Sequence, residues 1–198
     1  MFTIMNKKSP FTILNFLLKQ QNELHTREIA RKTGLSLGFV SRFLNALSRQ
    51  ELILLTKKGR MKFYRANILH PLIKQLKILI TISSLMPLIN NLKPLSRRII
   101  LFGICAHGEN LPESDIDLFI LTNYSQEVRI KLSQNPKIVP VIMNSKEFAE
   151  FRKKDASLYE QIIRGLALWE TNESADSIIE DAQEFYSFTE EYLKSKKE

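Results

Sequence analysis

Cysteine is almost absent from this sequence. Cys105 stands alone among 198 residues, so no internal disulfide can form and no Cys/His zinc set exists, as expected of a chain in a reducing cytoplasm. Glycine and proline are scarce, at six and seven residues, which excludes collagen-like and low-complexity chains. The first residues lack the apolar core and small-residue cleavage site of a secretory leader. A long uninterrupted apolar run is also missing. The stretch from Leu72 to Leu92 contains Lys74, Lys77 and Pro87, so no membrane span is expected. What remains, 44% hydrophobic and 25% charged residues, is the balance of a soluble globular protein with one large or two small domains.

Acidic residues are nearly missing from one half of the chain. Residues 1–98 hold 18 Lys and Arg against only Glu23, Glu28 and Glu51, a net +15. Residues 99–198 hold 11 bases against 18 acids, a net −7. Such asymmetry points to a basic half that meets a polyanion and a second half with a different task.

Within the basic half, Ser9-Pro10 followed by Phe11, Ile13, Leu14, Phe16, Leu17 and Leu18 predicts a capped, buried helix. Thr26 is expected to cap a short helix over Arg27–Lys32, ended by Gly34 at positive φ. Ser36 opens a second helix with Leu37, Val40, Phe43, Leu44 and Leu47 on its apolar side. Ser41, Arg42, Asn45, Ser48 and Arg49 lie opposite. Two β-rich runs, Leu52–Thr56 and Met61–Arg65, flank Lys57-Lys58-Gly59-Arg60, which predicts a hairpin with a basic tip.

This order of helices, turn and hairpin resembles the winged helix-turn-helix family over residues 9–68, the likeness resting on residues 26–36 and Val40-Ser41-Arg42. The resemblance implies double-stranded DNA as partner. Ser36, Ser41, Arg42 and Asn45, near the start of the recognition helix, are expected at base edges in the major groove, and Arg49 is a further DNA-binding residue. Lys57, Lys58, Arg60 and Lys62 are expected at phosphates or in the minor groove. The alternative is a protein-contact domain whose bases are merely solvated.

From Pro71 to Leu92 apolar residues follow a helical period past Pro87. Such a helix either joins two parts of the chain or packs against a second copy in a homodimer.

In the acidic half, Ile99–Phe102 reads as a buried strand entering a turn at Gly103, and Ser114–Leu121 as a strand with Asp115 and Asp117 on one face. Paired carboxylates repel unless a cation or proton intervenes. An all-oxygen pair of this kind suits Mg²⁺. The block Leu101–Leu118, with Gly103, Gly108 and Ser114-Asp115-Ile116-Asp117, resembles the minimal nucleotidyltransferase family of the polymerase-beta-like superfamily. The likeness extends over residues 95–170, through the strand near Ile138–Ile142, a helix opened by Ser145-Lys146-Glu147-Phe148 and the segment Arg164–Glu170. It implies Mg²⁺ with an NTP as cofactor, Asp115 and Asp117 as metal-binding catalytic residues, and Gly103, Ile104 and Ser114 at the phosphate turn. Two family positions are changed. Ile104 replaces the turn serine, and the strand containing Val139-Pro140-Val141 carries no third carboxylate.

The expected fold is α+β: a winged helix-turn-helix domain at 1–70, a connecting or dimerisation helix at 71–94, a small mixed-sheet nucleotidyltransferase-like domain at 95–172, and a helix at 173–198. The leading functional expectation is a cytoplasmic DNA-binding regulator whose second domain binds Mg²⁺–NTP. An active nucleotidyltransferase targeted by its winged domain and a non-catalytic assembly module are the alternatives.

Overall fold

The computed structural model describes residues 10–171. Ser9 and the helix expected over the tail lie outside them. Helix α1 (Pro10–Leu18) leads through the short strand β1 (Leu24–His25) into α2 (Thr26–Thr33) and α3 (Leu37–Arg49). Gly34 ends α2 at φ 69°, and Ser36 caps α3 by accepting the Phe39 N–H at 3.4 Å. The cap of α2 is His25 rather than Thr26: its Nδ1 accepts the Arg27 N–H at 3.2 Å, and Thr26 becomes the first helical residue. An imidazole can replace the usual hydroxyl here because its ring nitrogen reaches the same orphan donor.

Strands β2 (Ile53–Lys58) and β3 (Met61–Ala66) form the hairpin, with β3 in the centre of a three-stranded antiparallel sheet. They extend further toward the tip than the sequence suggested. Lys58 pairs with Met61, so only Gly59 and Arg60 remain as the turn. Ile13, Leu17, Ile29, Val40, Leu44, Ile53 and Tyr64 close one core between the helices and this sheet.

Helix α4 (Pro71–Leu92) ties that core to a second one. Ile73 belongs to the first, whereas Leu85, Ile89 and Leu92 belong to the second. By length and composition α4 is apolar enough to cross a membrane. Its buried stripe Ile73, Lys77, Thr81, Leu85 and Ile89 instead recurs every four residues and packs inside the protein.

The second sheet has the order β6-β5-β4-β7, built from β4 (Arg98–Phe102), β5 (Ile116–Leu121), β6 (Ile138–Met143) and β7 (Leu166–Glu170). Strands β5 and β6 run parallel and the other pairs antiparallel. Between them lie α5 (Gly103–Ala106), α6 (Ser125–Leu132), α7 (Ser145–Lys154) and α8 (Ala156–Ile163). Alternation along the strands divides the apolar residues between two faces. Ile99, Leu101, Leu118 and Ile120 meet α4 and α6 through Leu85, Ile89, Val128 and Leu132. Ile100, Phe102 and Phe119 meet α7 and α8 through Phe148, Phe151 and Ile162. The whole is the α+β arrangement expected, with a mixed second sheet.

Candidate functional site

Two places carry the residues singled out by the sequence. The first is the outer surface of α3 and the hairpin. Ser41, Arg42, Asn45 and Arg49 are all exposed along α3, while Val40, Leu44 and Leu47 hold the opposite side in the core. Ser36 is exposed too, with its hydroxyl engaged in the cap. Leu37 departs from expectation. It stands 46% exposed on the outer face instead of joining the buried stripe. It precedes the first full turn of α3, where the core has not yet closed around the helix. The three-and-four spacing in the sequence could not reveal that.

The hairpin sorts its cations by strand face. Lys57 and Lys62 are direct cross-strand partners, on the same face as the Ile53–Ala66 pair, which is buried, and the Leu55–Tyr64 pair, in which only Tyr64 is. Like charges placed opposite each other cost free energy until something anionic comes between them. Lys58 lies on the other face and is already engaged. Its Nζ is 3.0 Å from Glu23 Oε2 and 5.0 Å from the Phe63 ring centroid. Thr56 Oγ1 donates to the other Glu23 oxygen at 2.8 Å. The Lys58 hydrogen bond, helped by that of Thr56, holds the Glu23 carboxyl below the usual glutamate value of 4.5. Sequence reading grouped Lys57, Lys58, Arg60 and Lys62 together. All four are exposed, but the structure ties Lys58, beside the turn, to Glu23, whereas Lys57, Arg60 and Lys62 are in none of the described ion pairs.

The second place is the edge where β4 ends and β5 begins. Gly103 follows β4 at φ +67°, a backbone region that suits glycine. A Cβ built on it would stand 3.2 Å from Asp117 Cγ and overlap Oδ2. Asp117 lies in β5 opposite Phe102. Asp115 precedes the strand instead of lying within it, because the ladder with β6 starts at Ile116. The two carboxylates still interact. Burial, with the Asp115 charge added, pushes the Asp117 carboxyl above the ordinary aspartate value of 3.8.

Supporting contacts fix this edge. Cys105 is fully buried, and its Sγ donates to the Asp115 carbonyl at 3.2 Å. Burial, followed by the Asp117 charge, raises the Cys105 thiol, keeping it a protonated donor. Ser114 Oγ accepts the Leu111 N–H at 2.8 Å, so its hydroxyl is occupied with shaping the loop. Gly108 packs directly on α4, where a Cβ would overlap the Lys74 carbonyl oxygen, and Lys74 Nζ meets Glu109 Oε1 at 2.6 Å. These two contacts join the segment that follows Gly103 to the helix that also enters the first core. Neither was singled out from the sequence.

The donor set suits one magnesium ion with phosphate, since Mg²⁺ is commonly held by one or two carboxylates plus water and substrate oxygens. The bare Gly103 leaves room for the Asp117 carboxylate itself, which packs against its backbone. The set is short of the family pattern. Val139, the β6 register partner of Asp117, stands 45% exposed, and β6 carries no acid. Ile104 is likewise exposed at 46%. Among the described residues, no group of three His, Cys, Asp or Glu side chains is placed to hold a metal. Glu147 does not fill the gap, because it closes a capping box with Asn144 at the start of α7.

Comparison with known proteins agrees with both halves. Residues 11–54 match the IclR helix-turn-helix domain. Residues 89–174 match the family described as Polymerase beta, Nucleotidyltransferase. No curated protein matches the chain. The nucleotidyltransferase match begins at Ile89, inside α4, where that helix has already entered the second core. The hairpin extends beyond the helix-turn-helix match and adds a wing to it. The chain thus joins an IclR-type helix-turn-helix domain to a nucleotidyltransferase-like domain of the polymerase-beta kind.

Proposed function

We propose that this protein is a DNA-binding regulator whose second domain takes Mg²⁺ with a nucleoside triphosphate as a ligand rather than as a substrate for transfer. The observation that carries the DNA reading is the Lys57–Lys62 pair. It sets two exposed lysines directly opposite each other on neighbouring strands, with no acid matched to either among the described ion pairs. A phosphate backbone relieves that repulsion and supplies affinity through counterion release. Leu37, Ser41, Arg42 and Asn45 meet base edges in the major groove, where Arg and Asn offer bidentate hydrogen bonds and Leu37 an apolar contact for a thymine methyl. Arg49, further along α3, takes backbone phosphate together with Arg60 at the wing tip.

In the second domain Asp115 and Asp117 hold the metal, and the backbone of the Gly103–Ile104 turn faces the phosphates. The bound ion neutralises the charge that the carboxylates and the triphosphate bring together. Cys105 keeps Asp115 in place through its carbonyl, and Gly103, lacking a side chain, admits the Asp117 carboxylate beside its backbone. Transfer also requires a group that takes a proton from the acceptor. Strand β6 carries no acid for that task, which supports binding without transfer.

Calorimetry with a panel of NTPs, with and without Mg²⁺, tests the reading on wild type and on the Asp115→Asn/Asp117→Asn variant. Binding that requires both magnesium and the aspartates is expected. No binding by the folded wild type would make the site a relic. Covalent transfer of α-labelled phosphate, lost in the variant, would make it an enzyme.

A further inference from the structure

The end of the hairpin holds one apolar side chain among its cations. Along Lys57-Lys58-Gly59-Arg60-Met61-Lys62, only Met61 brings a hydrophobic group. It stands 52% exposed and belongs to none of the buried clusters among the described residues. Its direct cross-strand partner is Lys58, and the apolar stem of a lysine could cover it. The Lys58 ammonium instead reaches back from the tip to Glu23 and over the Phe63 ring. Met61 is left bare.

The tip is also narrow and braced. The ladder runs out to the Lys58–Met61 pair, so only Gly59 and Arg60 make the turn. Thr56 and Lys58 both bind the Glu23 carboxylate, which ties this part of the hairpin to the chain ahead of α2. Nothing lies within 4 Å of the point where a side chain on Gly59 would begin. A methionine here offers nothing to a phosphate, and its exposed thioether gains nothing from water. Its chemistry suits the apolar faces of stacked bases. Side chains of this kind, inserted from the minor groove, unstack one base step and kink the duplex.

Given the DNA binding proposed above, on which this inference rests, we propose that Met61 is a wedge that bends the bound duplex. Strand β2 packs against α3. With α3 in the major groove, the hairpin beside it brings its tip to the adjoining minor groove. Met61 enters one base step there, while Lys57, Arg60 and Lys62 hold the flanking phosphates. The duplex bends by about 20° or more. A TA or CA step unstacks with least resistance, so the tip selects such a step by its deformability, without a hydrogen bond to either base. Met61 thereby adds sequence preference at a position that α3 does not touch.

The probe is a duplex of about 30 base pairs, recovered by the full chain from a random pool and carrying a dye at each end. Binding by wild type should raise energy transfer between the dyes. The fluorescent adenine analogue 2-aminopurine, placed at each adenine in turn, should brighten at one step only. Met61→Ala should abolish both signals, and Met61→Leu should keep them. The wild-type preference for TA or CA over GG at that step, about tenfold, should vanish in Met61→Ala. The salt slope of Met61→Ala should match wild type, since no charge is removed. Bound DNA that stays straight and stacked overturns the inference while leaving DNA binding intact. So does a bend that survives Met61→Ala, or a salt slope that falls together with the bend, which would make Met61 a support for the shape of the hairpin. A wild type that binds no duplex fails the DNA reading, and the wedge with it.

Discussion

Gly103 and Asp117 share one space: the carboxylate of Asp117 occupies the volume that a side chain at position 103 would need. Replacing Gly103 by Ala must push Oδ2 aside and also force a positive φ on a residue with a Cβ. The backbone term costs about 1 kcal/mol. Gly103→Ala should therefore lower stability modestly in chemical denaturation and abolish any Mg²⁺–nucleotide heat in calorimetry. An unchanged nucleotide affinity would separate Asp117 from the ligand.

Base readout and phosphate contact should respond differently. Arg42→Ala or Asn45→Ala should each cost about 1–3 kcal/mol on the preferred duplex and flatten the preference among sequences. A selection from random duplexes, repeated with each variant, checks this. Equal loss on every sequence would place both residues on the backbone.

Glu23 should make the anchoring of the hairpin near its tip sensitive to acid. Its folded value lies below the ordinary 4.5 because Lys58 and Thr56 hydrogen-bond the charged form. A depressed acid stabilises the folded state above its unfolded value, and that stabilisation disappears as pH falls through the folded value. Glu23→Gln should thus be less stable than wild type at neutral pH, with the difference vanishing on acidification. Paired denaturation curves across pH would show it, and a difference independent of pH would contradict it.

Lys77 is buried with no acid bonded to its ammonium among the described contacts, and burial holds its value below the ordinary 10.5. Burying an ammonium away from a bonded acid costs free energy, because burial disfavours the charged form. Lys77→Met keeps the length of the side chain and removes the charge. Stability should rise by about 1 kcal/mol in urea. A loss instead would show that the ammonium makes a favourable contact.

Much of this molecule was legible because its apolar spacing is regular. The helical apolar period from Pro71 to Leu92 and the alternation around Asp117 name their own elements, although the stripe that α4 buries runs through Lys77 and Thr81 and leaves Leu72 and Leu79 exposed. What escaped was set by contacts between distant residues. Strand β1 has two residues, and it exists because Leu24 and His25 pair with Tyr64 and Phe63. Helix α6 buries only Val128 and Leu132, too few to leave a pattern. His25 and His70 both cap helices through Nδ1, a role that histidine does not advertise. At the second site the aspartates, Gly103 and the missing third acid were readable from the sequence. The grip of Cys105 on the Asp115 carbonyl and the seat of Gly108 on α4 were not, since both need the chain folded back on itself.

The salt dependence of duplex binding tests the central claim most directly. Fluorescence anisotropy across a salt series, on wild type, Lys57→Ala, Lys62→Ala and Lys58→Ala, reads how many phosphates each lysine neutralises. The account predicts an affinity that falls steeply with salt, with the slope reduced by about one for Lys57→Ala and for Lys62→Ala. Lys58→Ala should leave the slope nearly unchanged, because Glu23 already holds that charge. A duplex affinity indifferent to salt, or to the loss of Lys57 and Lys62 together, would contradict DNA binding by this face.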